Sequence, residues 1–464
     1  MSAGADRRRS TGQVTAEEQR GARQVLIQAT VAFTLLFAVW VMFAIVGLPL
    51  REEFGLSDDQ FALLAAIPIL TGSVLRIPLG IITDRFGGRV VFTVLLLVTA
   101  VPAFLLQYAD SYPTLLVGAF FVGLSGASFA VGIAWVSAWY PADRQGFALG
   151  VFGAGNVGAS ITKLLAPWLV TAVGVGGAAG GLVPGGWRFV PFLFSIVLVA
   201  MAASLWFGTP RIDRKPAKGR AFSDLVRPMG SLRAWRFGLY YVVVFGAYVA
   251  LSLWLPRYYV DVFGLDLARA GLLTALFIFP ASLLRPVGGY LADRFGARRV
   301  MYLVFTTMTV ACALLAAPEG HIVVEVPRRG PGAVAEVLPW TMNVWLFTCL
   351  IVAIGVAMGV GKAAVFVYIP EYFPDDVGAV GGLVGAIGGL GGFVLPLLFS
   401  QAEALTGMPQ GTFMVLLALI LVSFAWLHWT VYRMLQEGSP GLEDKFEHPT
   451  PDPREAADDT DSLV

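Results

Sequence analysis

Charge is scarce in this chain of 464 residues: Asp, Glu, Lys and Arg make up 14%, while 57% of residues are hydrophobic. A soluble domain carries about 25% charged residues, so that class is excluded. A net charge of +1 says little about partners in a chain whose charges are sorted by side, and nothing in the sequence supports nucleic-acid binding. Cysteine is limited to Cys312 and Cys349, which fall inside apolar runs, so no disulfide framework and no metal-ligand spacing can be read. Both read as small apolar core residues. Catalytic clusters of His, Cys and Asp and cofactor motifs are missing, so neither an enzyme nor a cofactor or metal is expected. Carboxylates are almost absent from the apolar runs, where Glu371 and Glu403 stand only near the ends.

The apolar runs themselves are abundant. A helix of about 20 residues crosses about 30 Å of hydrocarbon, and twelve such runs are present, near 26–49, 61–83, 90–108, 114–138, 146–173, 187–208, 237–256, 270–291, 299–317, 342–368, 377–402 and 411–432. The expected fold is an all-α polytopic membrane protein. Fifty-three glycines point to closely packed helices. The polar arm 1–24 lacks the apolar core of a cleavable signal. The charged stretch 209–236, interrupted by Pro210, Pro216 and Pro228, separates a bundle over 25–208 from one over 237–433. The acidic tail 434–464 reads as disordered.

Lysine and arginine set the orientation. They crowd the amino-terminal arm (Arg7, Arg8, Arg9, Arg20, Arg23), the stretch 209–236, and the loops after the second and eighth runs (Arg85, Arg89, Arg294, Arg298, Arg299). Opposite loops carry chiefly Arg51, Arg257, Arg269, Arg328 and Arg329. Both termini are therefore expected in the cytoplasm. The segment 318–340 is assigned to the outer surface.

One motif occurs twice. LRIPLGIITDRFGGR contains Arg76 and then Asp84-Arg85-Phe86-Gly87; 209 positions later, LRPVGGYLADRFGAR contains Arg285 and then Asp293-Arg294-Phe295-Gly296. A weaker repeat aligns 129–141 with 362–374 without gaps. Each arginine precedes its box by eight residues, about 12 Å of helix, which places it near mid-membrane. A cation there costs about 2.5–3.5 kcal/mol on insertion scales. With no buried carboxylate to pair them, two pseudo-symmetric arginines call for an anionic cargo, and their planar forks suit a planar oxyanion.

Twelve runs, a central basic stretch and the paired Asp-Arg-Phe-Gly-x-Arg boxes resemble the pattern of the major facilitator superfamily. The resemblance implies two pseudo-symmetric six-helix bundles that open a central cavity alternately to either side. Asp84, Arg85, Arg89, Asp293, Arg294 and Arg298 are then gating-loop residues, with the aspartates meeting arginines or helix ends of the neighbouring bundle. WYPADRQGFALG at 139–150 followed by Gly153-Ala-Gly155-Asn156-Val-Gly158 resembles the glycine-asparagine signature of the nitrate/nitrite porter family, the NarK-like branch. Gly385, Gly388, Gly389 and Gly391 form a second glycine run. Both runs read as helix-packing glycines, while Asn156 can also donate to an oxyanion.

By this resemblance Phe129 and Phe245 clamp nitrate, with Arg76, Arg285, Tyr241 and Asn156 as donors. Lys362, aligned with Phe129 in the weaker repeat, is expected to line the cavity from the other half. Lysine, unlike arginine, can exist neutral inside a protein, so Lys362 is a candidate proton-coupling group; the alternative is a permanent third cation. Gly-Lys-Ala-Ala at 361–364 resembles the proton-linked, type-one subgroup. Lys163, seven residues beyond Asn156, is a secondary candidate that extends the positive path or reaches the interface.

The expected function is nitrate import coupled to protons. Electroneutral nitrate/nitrite exchange is the alternative within transport, and a non-transporting nitrate sensor is the alternative outside it. The expected setting is the cytoplasmic (inner) membrane of a prokaryote, with nitrate or nitrite, protons and the bilayer as partners, no nucleic acid, and a monomeric state.

Overall fold

The computed structural model describes residues 16–437 apart from 175, 217, 219–225, 319 and 326–333. Twelve helical rods follow the twelve apolar runs. Among the described residues, ten helices are long and apolar enough to cross a membrane, and the pair Arg269–Leu283 and Arg285–Phe295, bent by 41°, makes an eleventh. Span 1 is Ala16–Trp40 continued by Phe43–Phe54; span 2 is Asp58–Val74 and Arg76–Phe86; span 3 is Gly88–Leu105. Span 4 is Tyr112–Val122 and Ser128–Trp139, span 5 is Ala142–Gly153 and Gly158–Ala172, and span 6 is Phe189–Gly208. Span 7 joins Leu232–Tyr241 to Ala247–Phe263, and span 8 joins Leu267–Leu283 to Arg285–Phe295. Span 9 is Ala297–Ala316, span 10 Val344–Tyr372, span 11 Val377–Thr406 and span 12 Gly411–Glu437.

The helix boundaries depart from the hydropathy boundaries for local reasons. Span 1 begins inside the polar arm because Gly21, Ala22 and Val25 form a buried face there, with Gly21 set against Trp139 and Pro210. Span 7 begins at Leu232, where Ser231 accepts a hydrogen bond from the Arg233 N–H, so the end of the stretch 209–236 is helical. The all-α description needs one amendment. Two strands, β1 (Gly320–Glu325) and β2 (Val334–Trp340), pair antiparallel within the segment 318–340. His-Ile-Val-Val-Glu is β-favouring sequence. Glu319, Arg328 and Arg329 lie outside the described residues, as do residues 1–15 of the arm and the tail from 438.

The duplication extends beyond the arginine motif. Gly55 and Gly264, again 209 positions apart, end spans 1 and 7 in the left-handed region at φ 59° and 63°. Ser57 and Asp266, at the same offset, cap the helices that follow. Each of those helices then breaks immediately before its arginine, at Leu75 and Leu284. Pro286 accounts for the second break, since its ring obstructs the carbonyl four residues earlier and it lacks an N–H.

The two halves meet along glycines. Gly80 of span 2 faces the backbone of Gly378 on span 11, and Gly289 of span 8 faces that of Gly146 on span 5. Large apolar side chains such as Leu303, Val117 and Val422 remain exposed on the outside, as a lipid-facing surface requires. Cys312 is buried, but Cys349 is exposed and so is not the core residue expected. It stands early in span 10.

Candidate anion-binding site

Both arginines are fully buried at the junction of the halves, and Asp84 is the one fully buried carboxylate among the described residues. Arg76 donates from Nε to the Gly126 carbonyl (3.0 Å) and from Nη1 to the Gly385 carbonyl (2.6 Å). The first acceptor lies in the 3-10 turn Gly123–Ala127, the second on span 11. Its Nη2 has no hydrogen-bond partner, and neither do Nε, Nη1 and Nη2 of Arg285. Burying a guanidinium with open donors is costly, and a desolvated anion is the group that removes the cost.

Aromatic rings frame these donors. The Phe129 and Phe245 rings are parallel to within 5°, with centroids 6.4 Å apart. Tyr241 stacks on Phe245 at 4.9 Å and 9°, an arrangement set by the π-helical turn Val242–Gly246 that separates them along span 7. The Tyr241 hydroxyl stands within electrostatic reach of Arg285 and Arg76 without an aligned hydrogen bond. Asn156 is fully buried with both amide atoms unpartnered, and its turn, Ala154–Val157, packs on the Leu267–Leu283 helix. The structure thus brings Arg76, Arg285, Phe129, Tyr241 and Phe245 to one centre, with Asn156 on the adjoining turn.

Lys362 is also fully buried, but its side chain is directed to span 8. Nζ donates to the Ala281 carbonyl (3.0 Å) and sits 3.1 Å from the Tyr248 ring centroid and 5.8 Å from that of Phe245. The side chain of Lys163 lies outside the described residues.

The glycines divide into two groups. Gly155 and Gly158 admit span 1 at Phe33 and Thr34, and Gly391 admits Val242, as packing positions do. Gly153, Gly385, Gly388 and Gly389 instead make room for Arg285, Arg76, Tyr241 and Ser73 respectively. Four further glycines went unnoticed in the sequence. Gly146, Gly150 and Gly153 repeat the spacing of Gly378, Gly382 and Gly385, and in each set the second glycine faces the arginine's own carbonyl and the third its side chain. That spacing, Gly-x-x-x-Gly-x-x-Gly in both halves, was the available signal. Trp40, whose ring lies 5.2 Å from the Arg76 guanidinium, and Phe366, edge-on to Phe129 and Tyr241, carried no motif.

On the face where span 1 begins and span 12 ends, the two aspartates link the halves. Asp84 accepts from the N–H groups of Gly378 and Ala379 in the first turn of span 11, each at 3.2 Å. Asp293 accepts from Gly146 (2.9 Å) and Phe147 (2.7 Å) near the start of span 5. Three arginines of the boxes make contacts within their own half. Arg85 and Arg294 are exposed beside Phe86 and Phe295, and Arg89 donates to the carbonyls of Trp206 and Arg211. Asp213 accepts from the indoles of Trp135 and Trp139 and from the Arg89 N–H, docking the start of the linker on the first half. Beyond the arginine layer, towards the opposite face, a cavity of about 460 Å³ lies between the halves.

Duplicated halves meeting at paired, buried arginines define a polytopic membrane transporter. The family model of the Major Facilitator Superfamily matches residues 29–319 and 263–457. Solved structures share the fold: the transporter FucP in its outward conformation (TM-score 0.63, 17% identity, covering 87% of this chain and 99% of that one) and the proton:xylose symporter XylE (0.65, 13%, 89% and 96%). Among curated proteins, the probable nitrate/nitrite antiporter NarK1 of Thermus thermophilus is 59% identical over 93% of this chain and 97% of its own length. The nitrite extrusion protein of Bacillus subtilis is 33% identical over 85% and 91%. The chain belongs to the NarK-like nitrate/nitrite porter family of the major facilitator superfamily.

Proposed function

We propose that the protein carries nitrate, and nitrite with it, across the cytoplasmic membrane of a prokaryote by alternating access between its two halves. The observation that carries this reading is the pair of buried guanidinium groups, one from each half, over the ring of Phe129 beside Phe245, with Nη2 of Arg76 and all three nitrogens of Arg285 unpartnered. A flat monovalent anion satisfies donors from both halves at once, so its binding favours states in which the halves move together. Positive residues such as Arg20, Arg23, Arg85, Arg89, Arg294 and Arg298 on the face where span 1 begins support a cytoplasmic assignment for that face. With Asp84 and Asp293 closing it, the cavity on the other side is the outward vestibule.

Import is opposed by a negative interior at about 2.3 kcal/mol per charge per 100 mV. At least two protons per nitrate are then needed before the potential assists uptake. Lys362, buried and held at the Ala281 carbonyl four residues before Arg285, is the proton carrier in this reading. The name borne by the Thermus relative favours a second reading, electroneutral exchange of nitrate for nitrite, in which Lys362 remains a fixed cation. Purified protein in liposomes separates the two. Symport gives nitrate-dependent internal acidification driven by a proton gradient with no internal nitrite. Exchange gives nitrate entry only against internal nitrite, with no proton movement.

A further inference from the structure

Lys362 is fully buried and does not line the 460 Å³ cavity, yet Tyr248 does both jobs at once: its ring face lies 3.1 Å from Nζ, and it forms part of the cavity wall. The rest of that wall is mostly apolar, with Trp40, Ile69, Leu253 and Phe393 among it. The tyrosine is held in place at its far end, where its hydroxyl shares a hydrogen bond with Ser282 at 2.9 Å. Ser282 follows Ala281, whose carbonyl holds the lysine. A two-residue piece of span 8, just before the break at Leu284, therefore fixes both the ammonium and the ring that covers it. Bending at that break moves both anchors together.

From these contacts we propose that Tyr248 is the lid between Lys362 and the vestibule, and that its displacement admits the water with which Lys362 exchanges a proton. The second clause rests on the reading of Lys362 as the coupling group. The step is a single transfer: hydronium gives its proton to the neutral amine, leaving water and an ammonium, and the reverse step returns the amine. The titratable and charged groups that face Lys362 are Tyr248 from span 7 and Arg285 from span 8. Asp84, the fully buried carboxylate among the described residues, is on the closed face. Among the described residues, no other buried carboxylate offers an acidic relay beside the route past the ring. Tyr248 is a positioning residue, since it acts through the lysine whose ammonium its ring covers.

The test uses full-length protein in liposomes. With Cys312 and Cys349 replaced by alanine, Lys362→Cys is labelled with a small, charged, membrane-impermeant thiol reagent. We expect slow labelling with Tyr248 present, at least tenfold faster labelling with Tyr248→Ala, and an intermediate rate with Tyr248→Phe, which keeps the ring but loses the Ser282 bond. In protein that retains Lys362, Tyr248→Ala is expected to raise nitrate-independent proton leak at least fivefold, and adding Lys362→Gln should abolish that leak. Unchanged labelling overturns the lid. Faster labelling without leak, in a parent protein that does move protons with nitrate, overturns the role in proton exchange. Faster labelling in a parent that moves no protons supports the lid and overturns the coupling reading alone.

Discussion

Arg76 and Arg285 hold their guanidinium carbons at the same distance, 5.3 Å, from the ring centroid of Phe129. Their environments nonetheless differ. Arg76 is fixed by two backbone carbonyls, whereas no nitrogen of Arg285 is hydrogen-bonded. The fixed fork reads as the pre-set half of the clamp and the free fork as the half that an anion orders.

Arginine-to-lysine changes should expose that difference. Each keeps the charge and removes the planar fork. With hydrogen bonds to charged groups worth about 1.5–3 kcal/mol, Arg285→Lys is expected to weaken nitrate binding by about 10- to 100-fold. Arg76→Lys should do the same and also lower the thermal midpoint, because the Gly126 and Gly385 carbonyls lose their donor. Nitrate counterflow and thermal unfolding measured on both variants check this; normal affinity in both removes the clamp.

The two kinds of glycine should separate in the same assays. A methyl at Gly153 meets the Arg285 guanidinium, which is the end of a flexible side chain, whereas one at Gly158 meets the Thr34 carbonyl and the span 1 backbone. Gly153→Ala is expected to leave the protein folded with poor nitrate transport. Gly158→Ala is expected to lower the yield of monodisperse protein in size-exclusion chromatography, because a backbone cannot move aside for a methyl group.

Much of the scaffold was legible because hydropathy, helix breaks and the 209-residue repeat are local signals. The apolar runs gave the rods, and Arg76 and Arg285 stood out as cations without carboxylates. What a linear sequence could not give is the set of contacts that depend on packing between halves. Trp40 beneath Arg76 looks like any tryptophan at the end of an apolar run. Lys362 aligns with Phe129 in the repeat, but the carbonyl of Ala281 on another rod decides where its ammonium goes. Asp213 was one charge among many in a basic stretch, and only the fold brings two indoles to it. The strand pair within 318–340 was missed because short strands were outweighed by the surrounding glycines and prolines.

The closed face makes its own prediction. Each aspartate carboxylate accepts two backbone N–H groups of the opposite half, and bonds of an ionised acceptor are about twice as strong as neutral ones. Asp84→Asn and Asp293→Asn should each bias the protein towards opening that face, and the double variant more so. Interhalf distances from pairs of spin labels on the two loop boxes should lengthen in the variants; unchanged distances would falsify the gate assignment.

On the opposite face, Glu53 accepts from Trp187 and Arg188, and the Arg188 guanidinium holds its carboxyl below the ordinary value of 4.5. A depressed folded-state value means the contribution is complete above about pH 4.5 and is lost as pH falls through the lower folded value. The pair is partly exposed, with side-chain exposures of 28% and 41%, so solvent screening keeps the effect small. Glu53→Gln is expected to lower the thermal midpoint slightly at neutral pH and to flatten its decline below about pH 4.5. Trp187 fluorescence reports the change locally, since its indole loses a charged acceptor.

Selectivity follows from the slot between the two phenylalanines. Parallel rings with centroids 6.4 Å apart fall just short of the about 7–8 Å that one intervening atomic layer needs, given carbon contacts of about 3.5–4.0 Å on each side. A planar anion therefore needs a small widening and a thicker one a much larger widening. A planar anion is one layer thick and a tetrahedral one is not, so sulfate and phosphate should fail to displace nitrate even at high excess. Leucine at position 129 or 245 keeps the apolar volume but removes the flat face. With stacking worth about 0.5–1.5 kcal/mol, Phe129→Leu and Phe245→Leu should each weaken nitrate binding by about 2- to 12-fold. The loss should be smaller for chloride, which has no face to stack, so the nitrate-to-chloride preference narrows. Competition binding by calorimetry measures both ratios. A preference unchanged in both variants would place the anion elsewhere than between these rings.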